Sequence, residues 1–136
     1  MNQKMKILKE IGNRADRFNE FAKKLGKHAA EAFGSKHKAQ MKNLENIANS
    51  ALKVSDVLNY IKRQTGKAKK NTQWKKDNFG SDLLDQIETK LKKDRDLISK
   101  KLKITSDEIM LDIYLNLIRE FIKQLVIHYE YKTGEK

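Results

Sequence analysis

The segment from residue 106 to residue 131 is apolar around most of its circumference when it is drawn as a helix. Its apolar residues are Ile109, Met110, Leu111, Ile113, Leu115, Leu117, Ile118, Phe121, Ile122, Leu125, Val126 and Ile127. A helix that is hydrophobic all round has to be surrounded by other elements. The 136 residues include no proline, the residue that most strongly breaks helix interiors. We therefore predict an all-α fold, a compact bundle of about five helices with this C-terminal helix at its centre.

The N-terminal part of the chain carries a heptad stripe. Its members alternate steps of three and four, and they are Leu8, Ile11, Ala15, Phe18, Ala22, Leu25, Ala29 and Ala32. This spacing places them on one face of a single helix. Gly26 weakens a helix by ~1 kcal/mol, so a break at Gly26 stays open, and Gly34 is the predicted helix end.

Further helices are predicted over residues 36–53, over residues 56–65 with Ser55 as the cap, and from Ser81 onward. The helix that starts at Ser81 has a predicted buried line of Leu84, Ile87, Leu91, Ile98 and Leu102. Thr105 and Glu108 predict a capping box for the last helix. Residues 66–80 have no apolar period and predict a basic loop. The loop lies within one domain that spans residues 1–136.

The formal net charge of +12 is confined to the first 80 residues. Those residues hold 19 Lys or Arg and 7 Asp or Glu, whereas residues 81–136 hold 11 of each. Charge of one sign on one part of a small protein attracts polyanions. The natural partners are therefore nucleic acid or an anionic membrane surface. A membrane-binding helix needs bulky apolar residues, whereas four of the eight stripe residues are alanines, which insert poorly, so nucleic acid is favoured over a membrane. Whether it is RNA or DNA, single- or double-stranded, stays open at this point.

Two basic surfaces are predicted to contact RNA. The first basic surface consists of Arg14, Arg17, Lys24 and Lys27, which share one face of the first helix. The second basic surface consists of Lys62, Arg63, Lys67, Lys69, Lys70, Trp74, Lys75 and Lys76. An aromatic ring in a basic groove can stack on a base for ~1–3 kcal/mol, but a lone Trp more often packs on a core. Both roles of Trp74 stay open, as does the question of whether the two surfaces share one side.

The sequence offers no motif for catalysis or for binding a metal or cofactor. It contains no cysteine, and His28, His37 and His128 are too scattered to predict a zinc site. Phosphate-binding, dinucleotide-binding and serine-nucleophile motifs are absent. The close acidic pairs are explained by helix starts and ion pairing, and they are Asp82 with Asp85, Asp94 with Asp96, and Asp107 with Glu108. We expect no enzymatic activity, no metal and no cofactor.

The sequence also has no apolar stretch of ~18 residues and no signal-peptide pattern at its start. We therefore expect no transmembrane helix, and the absence of cysteine predicts a cytoplasmic location.

Two stretches of the chain are informative beyond composition. Residues 121–134 form an apolar helix that runs into an aromatic-x-aromatic stretch, Tyr129 and Tyr131, and then Gly134. Residues 54–63 contain a Ser-led helix start at Ser55. Both stretches resemble features of the small-subunit family of type III CRISPR effector complexes, whose members are small, basic and all-helical.

The resemblance implies a non-catalytic subunit of a ribonucleoprotein effector complex that serves in antiviral defence. Several copies would stack along the complex, and Lys and Arg side chains would contact the backbones of guide RNA and target RNA. Cleavage would belong to other subunits.

A different class of function also fits the sequence. The heptad stripe can act as an assembly surface because its alanines allow helices to approach closely. In that alternative the chain is a structural or adaptor protein with no nucleic-acid role, and its lysines serve solubility alone.

Overall fold

Six α-helices make up the computed structural model, which describes residues 2–67 and 73–134. They are α1 (Gln3–Phe33), α2 (Lys38–Ser50), α3 (Val54–Lys67), α4 (Phe79–Gln86), α5 (Lys92–Lys101) and α6 (Asp107–Gly134). Single 3-10 turns at Ser35–His37 and Lys76–Asn78 precede α2 and α4. A π-helical turn at Ile87–Leu91 joins α4 to α5 without a break. The bundle therefore has five rods, and the described residues contain no strand, which confirms the predicted all-α fold.

Helix α6 lies at the centre of the bundle, as predicted. It packs most extensively on α1 and also contacts α2, α3, α5 and the π-helical turn. Its fully enclosed side chains include Ile113, Leu117, Ile118, Ile122 and Leu125, each 0% exposed. The helix starts at Asp107, where the Ser106 hydroxyl accepts a hydrogen bond from the Ile109 N–H at 3.3 Å. Ser106, and not the predicted Thr105, is thus the residue that caps α6.

The heptad stripe of α1 is buried inside the bundle. Seven of its eight members are at most 7% exposed, and Leu8 alone is 54% exposed. Gly26 does not break the helix, because α1 runs uninterrupted from Gln3 to Phe33. A Cβ at Gly26 would lie 2.6 Å from both the Leu125 carbonyl oxygen and the His128 Cβ of α6. The glycine therefore lets α1 and α6 approach closely. Helix α1 ends at Phe33 and is followed by Gly34, whose φ of 59° suits glycine.

The π-helical turn changes the register of the rod formed by α4 and α5. Leu83, Ile87 and Leu91 follow each other at intervals of four and are each 0% exposed. Because a π-helix has more residues in each turn than an α-helix, side chains that are four residues apart stay on the same side of the rod. This is why Leu83 takes the fully buried position that was predicted for Leu84, which is only half-buried. The Tyr114 hydroxyl of α6 donates a 2.9 Å hydrogen bond to the Ile87 carbonyl in this turn.

The predicted basic loop is partly structured. Within residues 73–80, which the structure describes, a 3-10 turn covers Lys76–Asn78 and α4 already begins at Phe79. Asp77 and Asn78 take left-handed φ values of 52° and 63°, a conformation that Asp and Asn tolerate better than most residues. The turn directs the chain into α4, which packs against both α1 and α3.

Candidate nucleic-acid interface

The first basic surface lies along the side of α1 that faces α4 and α5. Arg17, Lys24 and Lys27 are exposed. Arg14 is only 19% exposed in its side chain and lies 3.8 Å from the Asp94 carboxylate of α5. Glu20 is exposed between Arg17 and Lys24, so this surface is basic without being uniformly so.

Lysines of the facing rod extend the first basic surface. Burial raises the pKa of the Asp94 carboxyl, and the positive charges of Arg14, Arg17, Lys90 and Lys93 act in the opposite direction. Two of these cations belong to α1, Lys90 to the π-helical turn and Lys93 to α5. The tertiary fold therefore places four cations around a single half-buried carboxylate.

Trp74 is a core residue in this structure. Its side chain is 3% exposed, and its indole nitrogen donates a 2.6 Å hydrogen bond to Oε1 of Gln40 in α2. Its ring packs against Phe33, Tyr60 and Phe79, with centroid distances of 5.4, 6.2 and 5.7 Å. Of the two roles left open for Trp74, the structure therefore shows the packing role, because these rings enclose the indole. We accordingly leave Trp74 out of the candidate interface.

The buried Trp74 brings lysines from two distant segments together. Next to it, Gln73 contacts the His37 ring nitrogen at 3.1 Å, while Trp74 binds Gln40. These contacts tie residues 73–76 to the turn between α1 and α2. We call the four exposed lysines of this region the junction cluster: Lys36, Lys38, Lys75 and Lys76.

The junction cluster adjoins the C-terminal end of the first basic surface. The Lys76 ammonium donates a 3.3 Å hydrogen bond to the Glu31 carbonyl in the last turn of α1, where the negative end of the helix dipole favours a cation. Glu31 lies one helical turn beyond Lys27. Lys76 therefore continues the row of cations that starts at Arg17, over a length of ~20 Å at 1.5 Å per residue.

The other members of the second basic surface lie elsewhere or outside the described residues. Lys62 and Arg63 are exposed on α3, and α4 packs between α3 and α1. Arg63 lines a groove of about 730 Å³ whose other residues include Ile47, Asp56 and Tyr60. The backbone of Lys67 ends α3, whereas Lys69 and Lys70 lie outside the described residues. Among the side chains that the structure describes, Lys62 and Arg63 on α3 are thus separated from Lys75 and Lys76, and Lys76 contacts the end of α1.

The three histidines take part in three separate contacts. His28 lies 3.8 Å from Asp82, His37 contacts Gln73 at 3.1 Å and His128 contacts Asn19 at 3.0 Å. Over residues 2–67 and 73–134, no group of three or more potential metal ligands converges. In the same part of the chain, no helix is long and apolar enough to cross a membrane.

Four cations of the interface were missed in the sequence: Lys36, Lys38, Lys90 and Lys93. Lys36 and Lys38 flank His37 in a short basic run, which is a visible but weak signal. Lys90 and Lys93 belong to the part of the chain with no net charge. Only the pairing of α1 with the α4–α5 rod brings them beside Arg17.

Comparison with protein-family models, with curated proteins and with solved structures found no match to this chain.

Proposed function

We propose that this protein binds RNA through phosphate contacts along α1 and the junction cluster. The observation that carries the proposal is the hydrogen bond from Lys76 to the Glu31 carbonyl, which brings residues 75–76 against the end of α1. The contact between Gln73 and His37 brings the same segment close to Lys36 and Lys38. Lysine and arginine position a nucleic acid through its phosphates and carry little base information. Binding is therefore expected to be independent of sequence and dependent on salt.

A salt titration tests this proposal directly. The probe is a fluorescently labelled 20-nucleotide oligouridylate, and the readout is its anisotropy at increasing salt. If about six phosphates are neutralised, the slope of log K against log salt is roughly −4 for a single strand. A slope near zero would contradict the proposal.

A matched pair of variants separates a local site from bulk charge. The site variant changes the junction cluster to glutamine, as K36Q, K38Q, K75Q and K76Q together. The control variant changes four other exposed lysines, as K4Q, K53Q, K100Q and K123Q together. Both lose the same charge, so the proposal expects the site variant to have the shallower slope and the lower affinity. Equal losses in the two variants would show that only net charge matters.

The resemblance described above supports a finer proposal. The protein would be a cytoplasmic, non-catalytic small subunit of a type III CRISPR-like ribonucleoprotein complex that contacts guide and target RNA. The helical bundle is the fold that this resemblance implies. Affinity purification from the native host tests it, because guide RNA and partner subunits should co-purify. Recovery of the chain with neither would refute this finer proposal and leave RNA binding to be judged by the titration.

The adaptor alternative requires the heptad stripe of α1 to be free to contact another chain, and in this structure it is not. Seven of the eight heptad residues are buried within the same chain, where α1 packs most extensively on α6, and Leu8 alone is exposed. Assembly through them would require α1 to leave the bundle.

A further inference from the structure

We propose that Phe21 is the base-stacking residue of this interface, and that the interface therefore takes a single-stranded segment of RNA with one unpaired base at Phe21. This inference rests on the proposed function and names its substrate class. It moves the stacking role from the buried Trp74 to a ring that the sequence did not single out.

Phe21 lies at the middle of the cationic row of α1. It is half-buried, with Arg17 one turn before it and Lys24 one turn after it. The Lys24 ammonium lies 5.8 Å from the ring centroid, and the Lys90 ammonium lies 3.9 Å from it. An aromatic face flanked by cations is the arrangement with which proteins bind unpaired nucleotides, because the ring stacks on the base while the cations hold the phosphates.

A cavity beside Phe21 adds polar groups that have no partner. Its volume is about 210 Å³, and it is lined by Phe21, Lys24, Leu25, His28, Asp82, Asp85 and Gln86. Nε2 of His28 and Oε1 of Gln86 are both buried without a hydrogen-bond partner. Buried polar atoms are normally satisfied, and the edge of a base offers both donors and acceptors. The cavity is smaller than the roughly 300–1,000 Å³ of a pocket for a whole small molecule, which suits a single base.

The charges around the cavity define how a nucleotide lies there. Asp82 and Asp85 line its α4 side, where they repel phosphate but accept hydrogen bonds from base N–H groups, such as N3–H of uracil. Arg17, Lys90 and Lys93 lie toward Asp94, and Lys24 and Lys27 lie on α1. The backbone of the strand therefore follows the cations, and the base points toward the carboxylates.

The π-helical turn gives Lys90 its position. Lys90 belongs to the turn at Ile87–Leu91, and Gln86 immediately precedes it. Such turns are frequent at functional sites because they re-aim side chains within a helix. A base that stacks on Phe21 takes the place of the Lys90 ammonium over the ring, and the ammonium moves to a phosphate.

The decisive variant is F21L, which keeps an apolar side chain at the half-buried position. We expect its affinity for the oligouridylate to fall about 5- to 150-fold, the equivalent of the ~1–3 kcal/mol of one stacked base. Its salt slope should stay unchanged, since no phosphate contact is lost, and its affinity for an RNA duplex of equal length should change less than twofold. F21Y should restore single-strand binding. Circular dichroism establishes that each variant is folded.

A matched control removes an aromatic ring elsewhere. Tyr131 is 71% exposed on α6, and Y131L should leave both affinities unchanged. A second readout uses a 2-aminopurine base in the strand, whose emission stacking quenches. Quenching should occur with the wild-type protein and with F21Y but not with F21L.

The outcomes distinguish this inference from the proposed function. If the wild-type protein binds RNA with the expected salt slope but F21L binds equally well, stacking at Phe21 is refuted and the phosphate interface stands. If the wild-type protein binds no RNA, both are refuted. An equal loss of single-strand and duplex affinity in F21L would also refute stacking.

Discussion

Gly26 of α1 faces His128 of α6 so closely that a Cβ at Gly26 would lie 2.6 Å from the His128 Cβ. The same Cβ would lie 2.6 Å from the backbone oxygen of Leu125. A backbone atom cannot rotate away as a flexible side chain can, so the helices would have to separate. The largest helix–helix interface of the bundle therefore depends on the absence of one methyl group.

The G26A variant should be destabilised by ~1–3 kcal/mol, the usual cost of overpacking. Alanine is a better helix former than glycine by ~1 kcal/mol, so local propensity alone would predict the opposite sign. The measurement is urea unfolding followed by circular dichroism. G12A on the same helix is the control: a Cβ at Gly12 meets nothing within 4 Å, and this variant should be stabilised. If G26A is stabilised as G12A is, the close approach of α1 and α6 is refuted.

Replacing Trp74 should affect stability and not RNA affinity. The W74F variant loses the 2.6 Å bond to Gln40 and leaves part of the aromatic cluster unfilled. We expect a loss of ~1–3 kcal/mol in the free energy of unfolding. RNA affinity, measured where both proteins are folded, should change less than twofold. Y131F on the exposed Tyr131 should stay within ~0.5 kcal/mol. If W74F has normal stability but binds RNA tenfold more weakly than the wild type, this prediction is contradicted and Trp74 is an RNA-contacting residue.

Tyr114 should make the folded state less stable at high pH. Burial, helped by the charges of Glu88 and Asp96, raises the pKa of its hydroxyl to about 12, against an ordinary value of 10.0. Between these two values the unfolded chain loses the proton while the folded chain keeps it. This contribution to stability is therefore complete below pH 10 and falls by up to ~1.4 kcal/mol per pH unit above it.

The Y114F variant isolates this contribution. At pH 8 it should be less stable than the wild type by ~1 kcal/mol, because it lacks the hydrogen bond to the Ile87 carbonyl. The difference should shrink as the pH rises from 9.5 to 11, since only the wild type carries the hydroxyl that titrates. Urea unfolding at several pH values measures this. A difference that is constant over the range would contradict the prediction.

Neutralising Asp94 should strengthen RNA binding. Burial raises the pKa of the Asp94 carboxyl. The shift therefore stabilises the folded protein only at acidic pH, and this stabilisation is lost as the pH rises through the folded-state pKa. The D94N variant should therefore be no less stable at pH 7, and it frees Arg14 from a 3.8 Å ion pair. Two unit negative charges ~4 Å apart repel each other by ~1 kcal/mol in water, so removing the Asp94 charge near a bound phosphate should raise the affinity about fivefold.

D112N, at an exposed position of α6, is the control for D94N because it makes the same chemical change away from the cations. Anisotropy titrations with the oligouridylate measure both variants. If D94N binds more weakly than the wild type, Arg14 and Asp94 act as a unit and the carboxylate belongs to the interface.

Hydrophobic periodicity predicted the bundle because it acts over whole helices. The stripe from Ile11 to Ala32 is buried throughout, and most of the apolar circumference of α6 is buried as well. Leu111 and Ile127 are the exceptions, at 53% and 49% exposed. Local signals failed where a distant residue decides the outcome. From the sequence, Gly26 is a possible helix break, but in the structure it is the point where α1 contacts α6 closely. The sequence likewise predicts a buried Leu84, but the π-helical turn shifts the register and Leu83 is buried in its place.

The interface was less predictable than the fold for the same reason. Lys36 and Lys75 are far apart in sequence, and their segments are brought together by the contacts of Gln73 with His37 and of Trp74 with Gln40. Lys90 lies in a part of the chain without net charge, and it reaches Phe21 through helix pairing. Charge runs in the sequence therefore favour the proposed type of partner, a polyanion, whereas tertiary contacts decide which cations lie together on the surface.

The buried position of Trp74 gives the protein an unlabelled optical reporter. The chain has a single tryptophan, and it is enclosed beside the junction cluster. If residues 73–76 leave the bundle, the indole enters water and its emission moves to longer wavelength. The emission spectrum of the native protein thus records whether the lysines of the two segments are assembled, with no dye attached to either.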